Sequence, residues 1–162
     1  MDIAARIISV DEGFALATWN RTVIQMWRGP PAVENIAKMV AACEELLETG
    51  RDHTTLVSIV ERGSPAPGEA ARRALAAWSR DVVARMTAAV IVAEGSGFRS
   101  ALVRGVGVAL TALAPHRVPF RFCSDVDEAM ALLSPTIPSA FGGVTALKGA
   151  IEQVRAAMPR TP

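Results

Sequence analysis

Ala88-Ala89-Val90-Ile91-Val92-Ala93 is an unbroken apolar run, with β-branched residues at its centre. Such a run suits a strand screened from water on both faces. A Gly-Ser-Gly turn follows at Gly95, Ser96 and Gly97, and a mostly apolar stretch with helical spacing runs from Phe98 to Leu113. Strand, glycine turn and helix make half of a βαβ unit, so the flanking segments must be arranged on an α/β plan around a partly parallel sheet.

On the amino-terminal side, Ala5 to Val10 reads as a short strand or a lead-in, and Asp11-Glu12-Gly13 as a turn. Phe14–Trp19 and Thr22–Trp27 flank the tight reversal Asn20-Arg21 and predict an antiparallel hairpin. After Gly29-Pro30-Pro31, Val33, Ile36, Val40, Cys43 and Leu47 recur at steps of three and four, which predicts a helix stopped at Gly50. Thr54 to Val60 is a second inner strand. The breaker-rich loop Glu61–Gly68 leads to a second helix, with Ala71, Leu75, Trp78, Val82 and Met86 on one stripe. Beyond the predicted third helix, Val118 to Cys123 is a strand, and Pro119 near its start favours an edge position. Asp125 and Glu128 form a capping box for a short helix ending near Leu133. A final amphipathic helix carries Val144, Leu147, Ile151, Val154 and Met158, and packs either on this domain or on a partner.

The expected architecture is an α/β mixed sheet of about five strands, an antiparallel hairpin followed by parallel βαβ units, with helices packed on it. Residues 1–134 make the domain, and 135–162 a linker and the extra helix. At 162 residues one domain is expected, long enough to bury a sizeable core. Lys and Arg number 17 against 16 Asp and Glu, a net charge of +1, which offers no basic surface for nucleic acid. No apolar stretch approaches about 18 residues, so no membrane insertion is expected. Met1-Asp2-Ile3-Ala4-Ala5-Arg6 lacks the basic and apolar regions of a secretory signal, and with two cysteines, Cys43 and Cys123, expected to be buried thiols, a cytoplasmic setting follows.

The order of elements, the hairpin ending Met26-Trp27-Arg28-Gly29, and the strand-turn-helix from Val90 to Leu102 give the chain from about Phe14 to Leu133 a likeness. It resembles the STAS family, the anti-sigma-factor-antagonist-like domains, in its divergent STAS/SEC14-like form. The resemblance implies a non-enzymatic regulatory or scaffolding module that binds another protein or a second copy of itself, with no cofactor. It also implies a phosphoacceptor at the start of the helix after the second inner strand. Here that region reads Glu61-Arg62-Gly63-Ser64-Pro65, without the family's Asp-Ser-Ser-Gly type of sequence, and the position falls on Ser64.

Two further readings stay open from the residues. The turn after Ala93 puts backbone N–H groups at a helix start, where Arg62, Gly95, Ser96, Gly97, Arg99 and Ser100, with Ser124 nearby, form a candidate anion site. Equally, Gly95 and Gly97 serve only to allow positive φ in a short connection. This carboxyl edge is the alternative site for a small anion, a nucleotide or an apolar ligand. The predicted third helix is apolar round much of its surface at Phe98, Leu102, Val103, Val106, Val108 and Leu110, with Gly105 and Gly107 between, and is a candidate interface. His53 and His116 fall away from the carboxyl ends of the parallel strands, so no catalytic residue and no metal site is assigned, and an enzyme ranks third. Trp78 is expected in the core, whereas Trp19 and Trp27 on the hairpin suit either core or ligand stacking.

Overall fold

The computed structural model describes residues 4–50, 53–95 and 120–160. Strands β1 (Arg6–Val10), β2 (Phe14–Trp19), β3 (Thr22–Trp27), β4 (Thr55–Val60), β5 (Ala88–Ala93) and β6 (Phe120–Cys123) form one six-stranded sheet in sequential order. β1, β2 and β3 pair antiparallel, and β3 to β6 are parallel. The mixed α/β sheet matches the sequence expectation. The additional strand is Arg6–Val10, where periodicity leaves strand and lead-in both open. Asn20, at φ +51, makes the tight reversal between β2 and β3.

Among the described residues, four helices cover the sheet: α1 (Val33–Glu48), α2 (Glu69–Asp81), α3 (Val126–Leu133) and α4 (Gly143–Ala157). The period-two alternation of each strand sends its side chains to two separate cores. Leu16, Val23, Leu56 and Ala89 meet Ile36, Met39 and Cys43 of α1 and Trp78 of α2 on one face. Ala17, Ile24, Met26, Val57, Val90 and Val92 meet α3 and α4 on the other. β2 and β3 are buried along their whole length, which explains why neither reads as alternating in the sequence. Trp19 and Trp27 are both buried, on opposite faces, so the hairpin tryptophans are core residues.

The predicted helix stripes need small corrections. On α1 the buried residues are Ile36, Met39, Ala42, Cys43 and Leu47, while Val33 in the first turn is 44% exposed. The ridge Ile36–Met39–Cys43–Leu47 keeps three- and four-residue steps on a slightly rotated face. α2 ends at Asp81, and a 3-10 turn at Val83–Arg85 carries the chain into β5. α3 begins at the expected cap: Asp125 accepts the Glu128 N–H at 2.8 Å, and Glu128 reaches back to accept the Ser124 N–H at 2.7 Å. Among the described residues β6 lies at the sheet edge, the position that Pro119 favours in the sequence.

The amphipathic helix near the carboxyl end packs in cis. Leu147, Ile151, Val154 and Met158 lie in the same core as Ala15, Ala17 and Ile24, and Gln153 accepts the Ala5 N–H at 3.0 Å. Leu147→Ala should therefore destabilise the fold by about 2–5 kcal/mol, the usual cost of emptying a leucine site. Urea denaturation measures it, and an unchanged midpoint would mean that α4 contributes little to this core.

Candidate functional site

The sheet register places three charged residues one step past the ends of three adjacent parallel strands. Trp27, Val60 and Ala93 are aligned as the last residues of β3, β4 and β5. The next residues are Arg28, Glu61 and Glu94, and the ladder continues through the Glu61 N–H to the Trp27 carbonyl and the Glu94 N–H to the Val60 carbonyl. Arg155 of α4 closes the row. Arg28 Nε donates to Glu61 Oε2 at 2.6 Å; Arg155 Nη1 donates to Glu61 Oε1 and to Glu94 Oε2, each at 3.0 Å; and Arg155 Nη2 donates to Glu94 Oε1 at 2.5 Å. Arg28 Nη1 also holds the Pro159 carbonyl at 2.7 Å. The Glu94 carboxylate first, and then Glu61, raises the pKa of Arg155, which stays charged. Two cations and two carboxylates thus tie the end of α4 to the carboxyl edge, where α/β proteins build their sites.

The sequence-derived anion site is only partly in view. Ser96, Gly97, Arg99 and Ser100 lie outside the described residues. So do all of the candidate interface residues Phe98, Leu102, Val103, Val106, Val108 and Leu110, as well as His116. Gly95 has φ +102, as the turn reading requires, and Arg62 lies against it: a Cβ on Gly95 would sit 3.3 Å from Arg62 Cγ. Ser64 is buried, donating its hydroxyl to the Gly29 carbonyl at 3.2 Å, so it is held against the turn that follows β3 rather than presented to solvent. Ser124 is exposed at the start of α3, and His53 is exposed with φ +66 ahead of β4. Among the described residues, no group of histidines, cysteines and carboxylates is placed to hold a metal ion.

Beside the carboxyl edge, on the α1–α2 face, lies a partly open cavity of about 90 Å³. Its floor is one row of the sheet, Gln25, Ser58, Ile91 and Phe122, paired in register from β3 to β6. Leu75, Trp78 and Ser79 of α2 form a wall, and Pro31 and Ser64–Pro67 form the rim. The lining is overwhelmingly apolar, and no charged side chain contributes to it among the described residues. Gln25, Trp78 and Ser79 are at least nine-tenths buried, and Gln25 Oε1, Trp78 Nε1 and Ser79 Oγ make no hydrogen bond among the described residues. A buried polar atom left without a partner costs about 1–3 kcal/mol, so three around one cavity stand out from the rest of the core.

Trp78 also faces Cys43. Burial pushes the Cys43 thiol up from 9.0 to about 12, against a smaller opposing pull from the Trp78 indole N–H, whose geometry falls short of a hydrogen bond. Neither cysteine forms a disulfide, and both are buried, as expected from the sequence.

Sequence reasoning missed both the ion-pair row and the cavity. The signals were present: a charged residue directly after each of β3, β4 and β5, and a lone polar residue (Gln25 in TVIQMW, Ser58 in TLVSIV) at matching positions of two adjacent apolar strands. Compared with models of known protein families, the chain matches none, and no curated protein is significantly similar to it.

Two measurements test this geometry. Arg155→Met strips Glu61 and Glu94 of their shared cation and should cost about 1–3 kcal/mol, between the values for exposed and buried pairs. Adding Glu94→Gln should recover part of that loss in a double-mutant cycle. For Cys43, the unfolded thiol ionises near 9.0 while the folded one holds its proton toward about 12. Its contribution to stability is therefore intact below about pH 9 and declines as pH rises toward 12. Tyrosine is absent from the chain. Melting curves should fall over that range, and Cys43→Ala should flatten the fall.

Proposed function

We propose that this chain is a non-enzymatic regulatory or scaffolding module of STAS type that acts by pairing with protein, in the first instance with a second copy of itself. The observation that carries this reading is the free edge of β1. β1 pairs with β2 on one side and with no strand on the other among the described residues. Ile7, Ile8 and Val10 on it are 37–40% exposed. A strand edge bearing unpaired backbone groups and exposed β-branched residues is a template for another strand.

Charge favours a like partner. Antiparallel pairing about a two-fold axis near Ile8 brings Arg6 of one copy toward Asp11 and Glu12 of the other, twice over. The register slip between Ile7 and Ser9 bends this edge, which limits open-ended stacking and favours a closed dimer. The fold supports the STAS-type reading as well: an antiparallel lead into a parallel sheet, with helices on both faces. No helix among the described residues is long and apolar enough to cross a membrane. The two buried thiols support a cytoplasmic setting.

Light scattering on the eluting protein should give a dimer that dissociates on dilution, and Ile8→Lys should give a monomer with an unchanged circular dichroism spectrum. A wild-type protein that stays monomeric at high concentration overturns the reading. Dissociation by Val103→Lys or Val108→Lys, with Ile8→Lys still dimeric, would move the contact to the segment 98–113 and sink the strand-edge pairing.

A further inference from the structure

We propose that the cavity between α2 and the sheet is a binding site for a small, uncharged, mostly apolar molecule carrying one O–H or N–H group, of the phenol or indole class. This is independent of how the β1 edge pairs.

Size sets the first limit. The cavity is about 90 Å³, well below the ~300–1,000 Å³ of sites for drug-sized molecules, so it admits a single ring or a short branched chain. Its lining sets the second. Trp27, Leu75, Ile91, Phe120 and Phe122 offer apolar and aromatic surface, and no charged side chain is present among the described residues to offset a ligand charge. Burying an ion there would be strongly unfavourable. Polarity sets the third. Among the described residues, Gln25 Oε1 is an acceptor in the floor with no donor, and Ser79 Oγ, fully buried in the wall, also has no partner. A core evolved only for packing would carry apolar residues at these two positions. A ligand with one donor satisfies Gln25, and where that donor is an O–H its oxygen also accepts from the Ser79 hydroxyl.

The test is a titration of the full-length, isotope-labelled protein with phenol, benzene and benzoate. It follows the side-chain amide of Gln25 and the indole N–H of Trp78 by nuclear magnetic resonance. Phenol should shift both resonances saturably. Benzene, which fills the space without a donor, should bind about tenfold more weakly, the worth of roughly one hydrogen bond. Benzoate should not bind. Gln25→Met, near in shape, should erase the preference for phenol over benzene while raising the melting temperature, because it removes the unpaired acceptor. Leu75→Trp should abolish both ligands by filling the cavity. Absence of saturable shifts with phenol overturns the proposal, as do shifts confined to residues outside the cavity. An unchanged phenol-to-benzene ratio in Gln25→Met overturns it too, whether or not Leu75→Trp folds.

Discussion

The parallel register of β3, β4, β5 and β6 is the constraint on which everything else rests. Each inner strand has apolar groups on both faces, so none of them is stable in water until helices cover both sides. The register also decides which residues become neighbours. A one-residue slip of β4 would exchange Val57 and Ile59 with Leu56 and Ser58 between the two cores and would separate Gln25 from Ser58. It would equally pull Glu61 out of the row that joins Arg28 to Arg155. The polar features of the molecule are thus consequences of strand alignment, and they help to enforce it.

Those polar features divide by accessibility. Along the carboxyl edge the charges are matched, two guanidinium groups against two carboxylates, and the partly buried pairs gain from mutual proximity and from limited desolvation. Under α2 the groups are neutral, more deeply buried and unmatched. A fold that satisfies its charged groups and leaves neutral ones open a few residues away has treated the two places differently. The first fastens α4 to the sheet. The second keeps hydrogen-bonding capacity in reserve inside an apolar wall.

The legibility of the chain in its sequence follows the same division. Uniform runs such as AAVIVA and helix periodicity such as Leu147–Ile151–Val154 identify elements directly, because burial acts on each locally. The cap at Asp125 and Glu128 was visible for the same reason, since its partners are three residues apart. The cavity and the ion-pair row depend on residues separated by some thirty positions and more, such as Gln25 with Ser58 or Glu61 with Arg155, which only strand order brings together. Ser64 shows the converse. Its sequence context suggests an exposed loop hydroxyl, but the turn at Glu61–Ser64 folds it inward onto the Gly29 carbonyl. Val33 likewise fits the helical period, yet lies in the exposed first turn of α1.

The last helix lies over the first long strands, and Gln153 near its end bonds the Ala5 backbone at the other end of the chain. During synthesis on the ribosome, the face formed by Ala15, Ala17, Ile24 and Met26 therefore lacks its α4 cover until more than a hundred further residues have been made. The nascent polypeptide carries a bare apolar sheet face over that interval. Until α4 docks, the growing chain is a natural client for a holding chaperone.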